Sequence, residues 1–319
     1  MRAQESGRDP VMCRVSSLFF TEVGVLTRAC ERGYLHRIDR PTDRTRMSTP
    51  EDRDYVVGTH DAEIERLRLQ HHLWRPRVLD CWRRAKLRRG YRVADIGAGP
   101  GYASLDLADL VGPTGHVHAV ERSRRFLSVL IATMQERRIC NVTAEEADLE
   151  AGDLPFRELD ATWCRWVLCF LRQPDALVRR IAHSLRPGGC AIFHEYVDYQ
   201  SWRAAPPLPS LERFVAAVMS SWRNEGGEPN IGLYLPAMLG RAGLRVIAAE
   251  PVSYFLGTEE PLWAWLAAFI ETGPQRLVEL SRMTASEAEE LRTDFREFGA
   301  HSEARMLTPT VLEVLAVKE

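Results

Sequence analysis

The chain has 319 residues, with 42 basic and 44 acidic side chains for a net charge of −2, and 45% of its residues are hydrophobic. This length suits one enlarged domain or two, and the composition excludes disorder, collagen-like repeats and low-complexity scaffolds. The near-neutral balance argues against a polyanion partner, so no nucleic acid is expected. Only two of the 42 basic residues are lysines, Lys86 and Lys318. That rules out a phosphate-cradling Gly-Lys-Ser/Thr loop and leaves Schiff-base chemistry without a convincing residue. The cysteines, Cys13, Cys30, Cys81, Cys140, Cys164, Cys169 and Cys190, form no Cys-x-x-Cys pair and no zinc-spaced cluster with histidine, so no metal is expected. No apolar run reaches the roughly 18 residues of a membrane span and no signal-peptide pattern opens the chain, which predicts a cytoplasmic protein without membrane contact.

Residues 1–46 carry nine arginines and little periodicity, and are read as a flexible or accessory extension. Residues 47–90 read as a helical segment. Ile64, Leu67, His71 and Trp74 recur at spacings of three, four and three, one helix stripe that Thr59 or Asp61 can cap. A second helix is expected after Pro76, through Val78, Leu79 and Trp82.

Residues 91–319 then alternate short apolar runs with helical periods, the texture of a parallel sheet with crossover helices. Strands are expected at 92–96, 116–120, 142–147, 160–164, 190–195, 245–249 and 311–317. The helices between them include Tyr102 to Val111, stopped by Gly112-Pro113, and one after Ser123 with Leu127, Leu130, Ile131 and Met134 on its apolar face. Pro187-Gly188-Gly189 marks the turn into the fifth strand. The predicted fold is a doubly wound α/β domain on a mostly parallel seven-stranded sheet. Two stretches break the rhythm, near 199–230 and near 257–299, and are read as helical insertions that cap the carboxyl edge of the sheet.

The sharpest motif is Asp95-Ile96-Gly97-Ala98-Gly99-Pro100-Gly101, at a predicted strand-to-helix turn. Glycines there let a ligand approach the main chain closely. A dinucleotide fingerprint is Gly-x-Gly-x-x-Gly, but here the third glycine comes one position early and Asp95 puts an anion beside the turn that would hold a pyrophosphate. An acid at that place suits a ligand carrying an ammonium or sulfonium, as S-adenosylmethionine does. Glu121 ends the second strand, where a carboxylate can accept both ribose hydroxyls. Asp148 ends the third and can accept an adenine amino group, although an exposed acidic run predicts the same letters.

On the Asp95-x-Gly97-x-Gly99-x-Gly101 loop, Glu121, Asp148, the Trp163-Cys164-Arg165-Trp166-Val167-Leu168 segment and Arg186-Pro187-Gly188-Gly189, the chain resembles the class I S-adenosylmethionine-dependent methyltransferases from about Arg92 onward. Within them it looks most like the small-molecule branch similar to ubiquinone- and menaquinone-type enzymes. The resemblance implies a Rossmann-like fold, S-adenosylmethionine as cofactor and a small-molecule methyl acceptor. It places Arg165 against the methionine part of the cofactor, with Trp166 either shielding the sulfonium or packing in the core. It adds Arg122 and Leu149 to the binding set, and Tyr55 and Gln70 from a lid formed by the amino-terminal helical segment.

Methyl transfer from a sulfonium is an in-line displacement that needs alignment and water exclusion, with a base optional. The base candidates are His194, Glu195 and Tyr196 at the end of the fifth strand, with His194 first. Strand alternation turns His194 and Tyr196 one way and Glu195 the other. Tyr199, Trp202, Trp222 and Tyr234 would wall a flat or greasy acceptor, or serve only as core. The expected function is transfer of a methyl group to an O or N atom of an aromatic or apolar metabolite. The alternative is a relative that binds the cofactor without methylating, cyclase-like or partner-binding. The oligomeric state is left open, a homodimer included.

Overall fold

The computed structural model describes residues 60–319. The expected extension at residues 1–46 and the start of the expected lid, with Tyr55, lie outside the described residues. The first element, α1 (Asp61–Arg84), is capped by His60, whose Nδ1 accepts the Glu63 N–H at 3.2 Å, rather than by Thr59 or Asp61. It is also one helix where two were expected, because it runs through Pro76. An internal proline costs about 3 kcal/mol. Trp74, Val78 and Trp82, all 1% exposed or less, each return about 1.5–3 kcal/mol on burial along one stripe. Burial therefore wins over the broken backbone bond.

Two β-α units follow: β1 (Arg92–Ile96), α2 (Tyr102–Val111), β2 (His116–Glu121) and α3 (Arg124–Arg137). Gly112, at φ +66°, ends α2, and the Ser123 side chain accepts the Phe126 N–H to cap α3. Leu127 and Leu130 face the core as expected, but Ile131 is exposed. Next come β3 (Val142–Glu146), β4 (Leu159–Arg165), α4 (Pro174–Ser184) and β5 (Leu185–Asp198). The fifth strand is longer than expected because Pro187-Gly188-Gly189 forms a bulge within it: Leu159 pairs with Leu185, and two residues later Ala161 already pairs with Cys190.

The remainder comprises β6 (Arg203–Ala205), α5 (Pro209–Asn224), α6 (Leu235–Arg241), β7 (Leu244–Val252), β8 (Phe255–Gly257), α7 (Trp263–Glu279), α8 (Ala285–Gly299), β9 (Arg305–Leu307) and β10 (Thr310–Lys318). The main sheet has seven strands in the order β3-β2-β1-β4-β5-β10-β7, with β10 antiparallel to both neighbours. It is the doubly wound α/β fold expected. Winding reverses between β1 and β4, the switch point outside whose carboxyl ends open α/β sheets bind ligands. The insertions pack as α7 against α1, α5 and α8, while β6, β9 and β8 form a separate antiparallel sheet that was not foreseen. No helix among the described residues is long and apolar enough to cross a membrane.

Gly101 joins β1 to α2 at φ +83°, and a Cβ there would lie 2.3 Å from Leu130 Cδ1. Gly101→Ala is expected to destabilise the domain by ~2–4 kcal/mol, combining left-handed strain with overpacking. A fall in the urea unfolding midpoint measures this.

Candidate active site

Two loops meet at the switch point. Gly97 is glycine because a Cβ would meet Val167 Cγ2 at 2.4 Å, whereas nothing lies within 4 Å of the Cβ position at Gly99. The Gly99 N–H donates to Glu121 Oε2 at 2.9 Å, and the N–H groups of Arg122 and Ser123 donate to Glu121 Oε1 at 2.9 Å each. Burial pushes this carboxyl above its ordinary range while the three backbone bonds pull it down. Asp95 is buried beneath the loop and accepts the Ser104 hydroxyl at 2.6 Å. Burial pushes it up to about 6, with the Ser104 bond and the Arg165 charge acting the other way.

Above these groups opens a cavity of about 600 Å³. Of the residues expected to bind a cofactor, Gln70, Asp95, Gly97, Gly99, Glu121, Arg122, Asp148, Leu149, Arg165 and Trp166 line it. Gly101 does not, since it serves the packing against Leu130. Asp148 is exposed at the rim, where its Oδ1 accepts the Glu150 N–H at 2.9 Å. Arg165 sits over the rings of Trp163 and Trp166, at 5.9 and 5.1 Å from their centroids. Burial draws its guanidinium down to about 10, still protonated at neutral pH. Its Nη1 is a buried donor without a hydrogen-bond partner. Lining residues that the sequence did not reveal include Tyr102, Phe126, Phe170 and Arg172; Phe126 at the start of α3 could have been suspected from its place one turn after Glu121.

A second, narrow cavity of 40 Å³ shares Gln70, Trp166 and Phe170 with the first. Its walls include Tyr196, Tyr199, Trp202 and Trp222, joined by Trp265 and Phe269 of α7 and Arg66 of α1. Trp166 is the bulkiest of the three shared residues. Its backbone is left-handed at φ +53°, and its ring stacks on Tyr196 (5.5 Å, 14°) and on Trp265 (5.7 Å, 11°). Gln70 Oε1 accepts both Arg66 Nη1 at 2.9 Å and Trp265 Nε1 at 3.0 Å, tying α1 to the cap. Both Glu63 oxygens hold Arg66 at 2.7 Å. Tyr234, expected in this wall, is 55% exposed and lines neither cavity, because it precedes α6 on the surface.

The three base candidates separate. His194 is fully buried between Trp74 and Trp163, with Nε2 at 2.7 Å from Glu313 Oε2, and lines neither cavity. Strand parity turns it to the α1 face as expected, but Trp74 covers it there, so the expectation of a base at His194 is corrected. Burial, helped by Arg165, Arg77 and Arg84, holds the imidazole well below its ordinary range, so it is neutral. Cys81, His194 and Glu313 bring ligand-type atoms within 4.8 Å of one another. Arg77 and Arg84 both pair with Glu313 and already supply the positive charge a cation would bring.

Glu195 faces the other way, also away from both cavities, and its Oε1 accepts the Val167 and Leu168 N–H groups at 2.9 and 2.8 Å. It therefore braces the turn that carries Trp166 rather than acting on a ligand. Burial pushes Glu195 up to about 7. Between its ordinary range and that value the folded chain keeps a proton that the unfolded chain releases, so stability from this group falls as pH rises and levels off above about 7. Glu195→Gln is expected to flatten the stability profile between pH 5 and 7 by at most about 1.4 kcal/mol per pH unit, measured by denaturant unfolding against the unsubstituted chain.

Comparison with known proteins agrees with this geometry. Residues 93–189 match the family model described as "Methyltransferase domain". The ubiquinone/menaquinone biosynthesis C-methyltransferase UbiE of Pseudomonas putida is 28% identical over 127 residues, 40% of this chain and 48% of that protein. A protein-L-isoaspartate O-methyltransferase of Methanothrix thermoacetophila is 34% identical over 103 residues, 32% of this chain and 46% of that protein. The chain thus spans about half the length of the curated relatives it matches. A Bacillus halodurans structure, provisionally assigned as a methyltransferase, superposes with a TM-score of 0.50 at 15% identity, covering 75% of this chain and 97% of that one; it shows the same fold. With the match over residues 93–189 and the seven-stranded sheet together, this part of the chain is similar to the class I S-adenosylmethionine-dependent methyltransferases.

Proposed function

We propose that the chain transfers a methyl group from S-adenosylmethionine to an O or N atom of a small aromatic or apolar metabolite. The observation that carries this reading is the convergence of three carboxylates, Asp95 and Glu121 near the ends of β1 and β2 and Asp148 just beyond β3, on one cavity that shares Gln70, Trp166 and Phe170 with an aromatic chamber. The cavity's polar groups suit the donor. Glu121 offers lone pairs to ribose hydroxyls, the open face of Gly99 admits an adenosyl group against the main chain, and Asp95 is the anion near a sulfonium or ammonium. The unpartnered Arg165 Nη1 is a buried cationic donor for a carboxylate. When bound, the donor supplies a methyl group already activated on sulfur.

The chain's own task is then to align the acceptor and exclude water. The Trp166, Tyr196 and Trp265 rings stack on one another and give the narrow second cavity an aromatic wall, which suits an apolar or aromatic part of the acceptor. Among the described residues, no histidine or carboxylate lines the second cavity. Burial holds the Tyr199 phenol far above its ordinary range, so it stays protonated. Of the three base candidates only Tyr196 reaches this cavity, so the reading favours an acceptor that needs little help in losing a proton, such as an amine nitrogen or a hydroxyl already ionised.

Calorimetry with S-adenosylhomocysteine tests the donor half. Binding is expected in the unsubstituted chain, and Glu121→Gln is expected to weaken it by about 1.5–3 kcal/mol, the worth of hydrogen bonds to a charged group. Turnover on a panel of phenols and aryl amines tests the acceptor half. Trp222→Leu is expected to raise the acceptor KM about tenfold, the upper end of an aromatic contact, without changing donor affinity.

A further inference from the structure

Behind the wall of the large cavity, a hydrogen-bonded chain runs from the outer face of α1 to Arg165. Arg75 Nε donates to Asp106 Oδ2 at 2.7 Å, the same oxygen lies 3.1 Å from His71 Nε2, and His71 Nδ1 lies 3.2 Å from Arg165 Nη2. The members come from α1, α2 and β4. A guanidinium can only donate, so His71 Nδ1 must accept and the ring proton must sit on Nε2, where the Asp106 carboxylate receives it. Both ends thus select one tautomer of a neutral ring. The surroundings keep it neutral: burial lowers the His71 pKa, Arg165 and Arg75 lower it further, and Asp106 opposes them. The Tyr102 ring stacks against it at 6.3 Å. Protonation would place an N–H against the guanidinium and break the chain.

Neither His71 nor Asp106 lines the cavity, whereas Arg165 does. With one Nη2 N–H committed to His71, the buried, unpartnered Nη1 is a guanidinium nitrogen left for a ligand. We propose that His71 and Asp106 are positioning residues that hold the Arg165 guanidinium so that its Nη1 side receives the carboxylate of the methyl donor's amino-acid tail. This rests on the donor reading above. Arg75 anchors the far end from the surface, with 48% of its side chain exposed.

The test compares two ligands by calorimetry on the full chain: S-adenosylhomocysteine, and its decarboxylated analogue, which keeps the adenosine, thioether and ammonium groups but lacks the carboxylate. The unsubstituted chain is expected to prefer S-adenosylhomocysteine. In His71→Ala and in Asp106→Asn its affinity is expected to fall about tenfold, the worth of one charge-assisted hydrogen bond, while affinity for the decarboxylated analogue is unchanged. Parallel loss of both ligands, or loss of neither, would overturn the proposal, since a merely structural relay does not distinguish them. Asp106→Asn preserves side-chain shape and carries the test if His71→Ala fails to fold. An unsubstituted chain that binds neither ligand would instead overturn the donor reading itself.

Discussion

One carboxylate closes the ligand-binding end of this sheet. Glu121 accepts three backbone N–H groups, one from the glycine loop after β1 and two from the turn after β2. Each of those donors would otherwise be an orphan at a crevice with no sheet partner, at a cost of about 1–3 kcal/mol apiece. The acid is held above its ordinary range by burial and joins the two loops through one side chain. Positioned this way, the Gly99 main chain and the carboxylate face the same space, and the large cavity follows from that juxtaposition.

A second constraint acts on the opposite wall. Glu195 fixes the Val167 and Leu168 amides and so the left-handed backbone of Trp166, a conformation rare for a bulky residue. The indole is thereby set between Tyr196 and Trp265, joining a main-sheet strand to a cap helix. Gln70 makes the parallel link on the other side, between Arg66 and Trp265. The aromatic chamber is thus built from parts of α1, β5, α5 and α7, elements far apart in the chain.

The parts of the site that could be read from the sequence are those where a strand end meets a distinctive residue type. Glu121 closes β2, Asp95 is the next-to-last residue of β1 and Asp148 lies two residues past β3, so strand order and Gly spacing suffice to bring them to one edge. Parity of β5 correctly set His194 and Glu195 on opposite faces, but parity says nothing of depth, and Trp74 buries the histidine. Aromatic residues at helical spacing look alike whether they fill a core or a pocket, so the sequence points to Tyr234 as a wall residue where the structure has Trp265 and Phe269. The three-residue strands β6, β8 and β9 are too short to show a period. Continuity through Pro76 depended on tertiary burial that no local propensity expresses.

That continuity has a mechanical consequence. The 24 residues of α1 make a beam about 36 Å long, seated at one end by Arg77 and Arg84 on the Glu250 and Glu313 carboxylates of the sheet's antiparallel flank. Its other end carries Arg66 and Gln70 beside the two chambers. Any tilt of α1 as one body would have to pull two guanidinium groups from their seats. α1 thus couples the wall beside the two chambers to the antiparallel flank of the sheet.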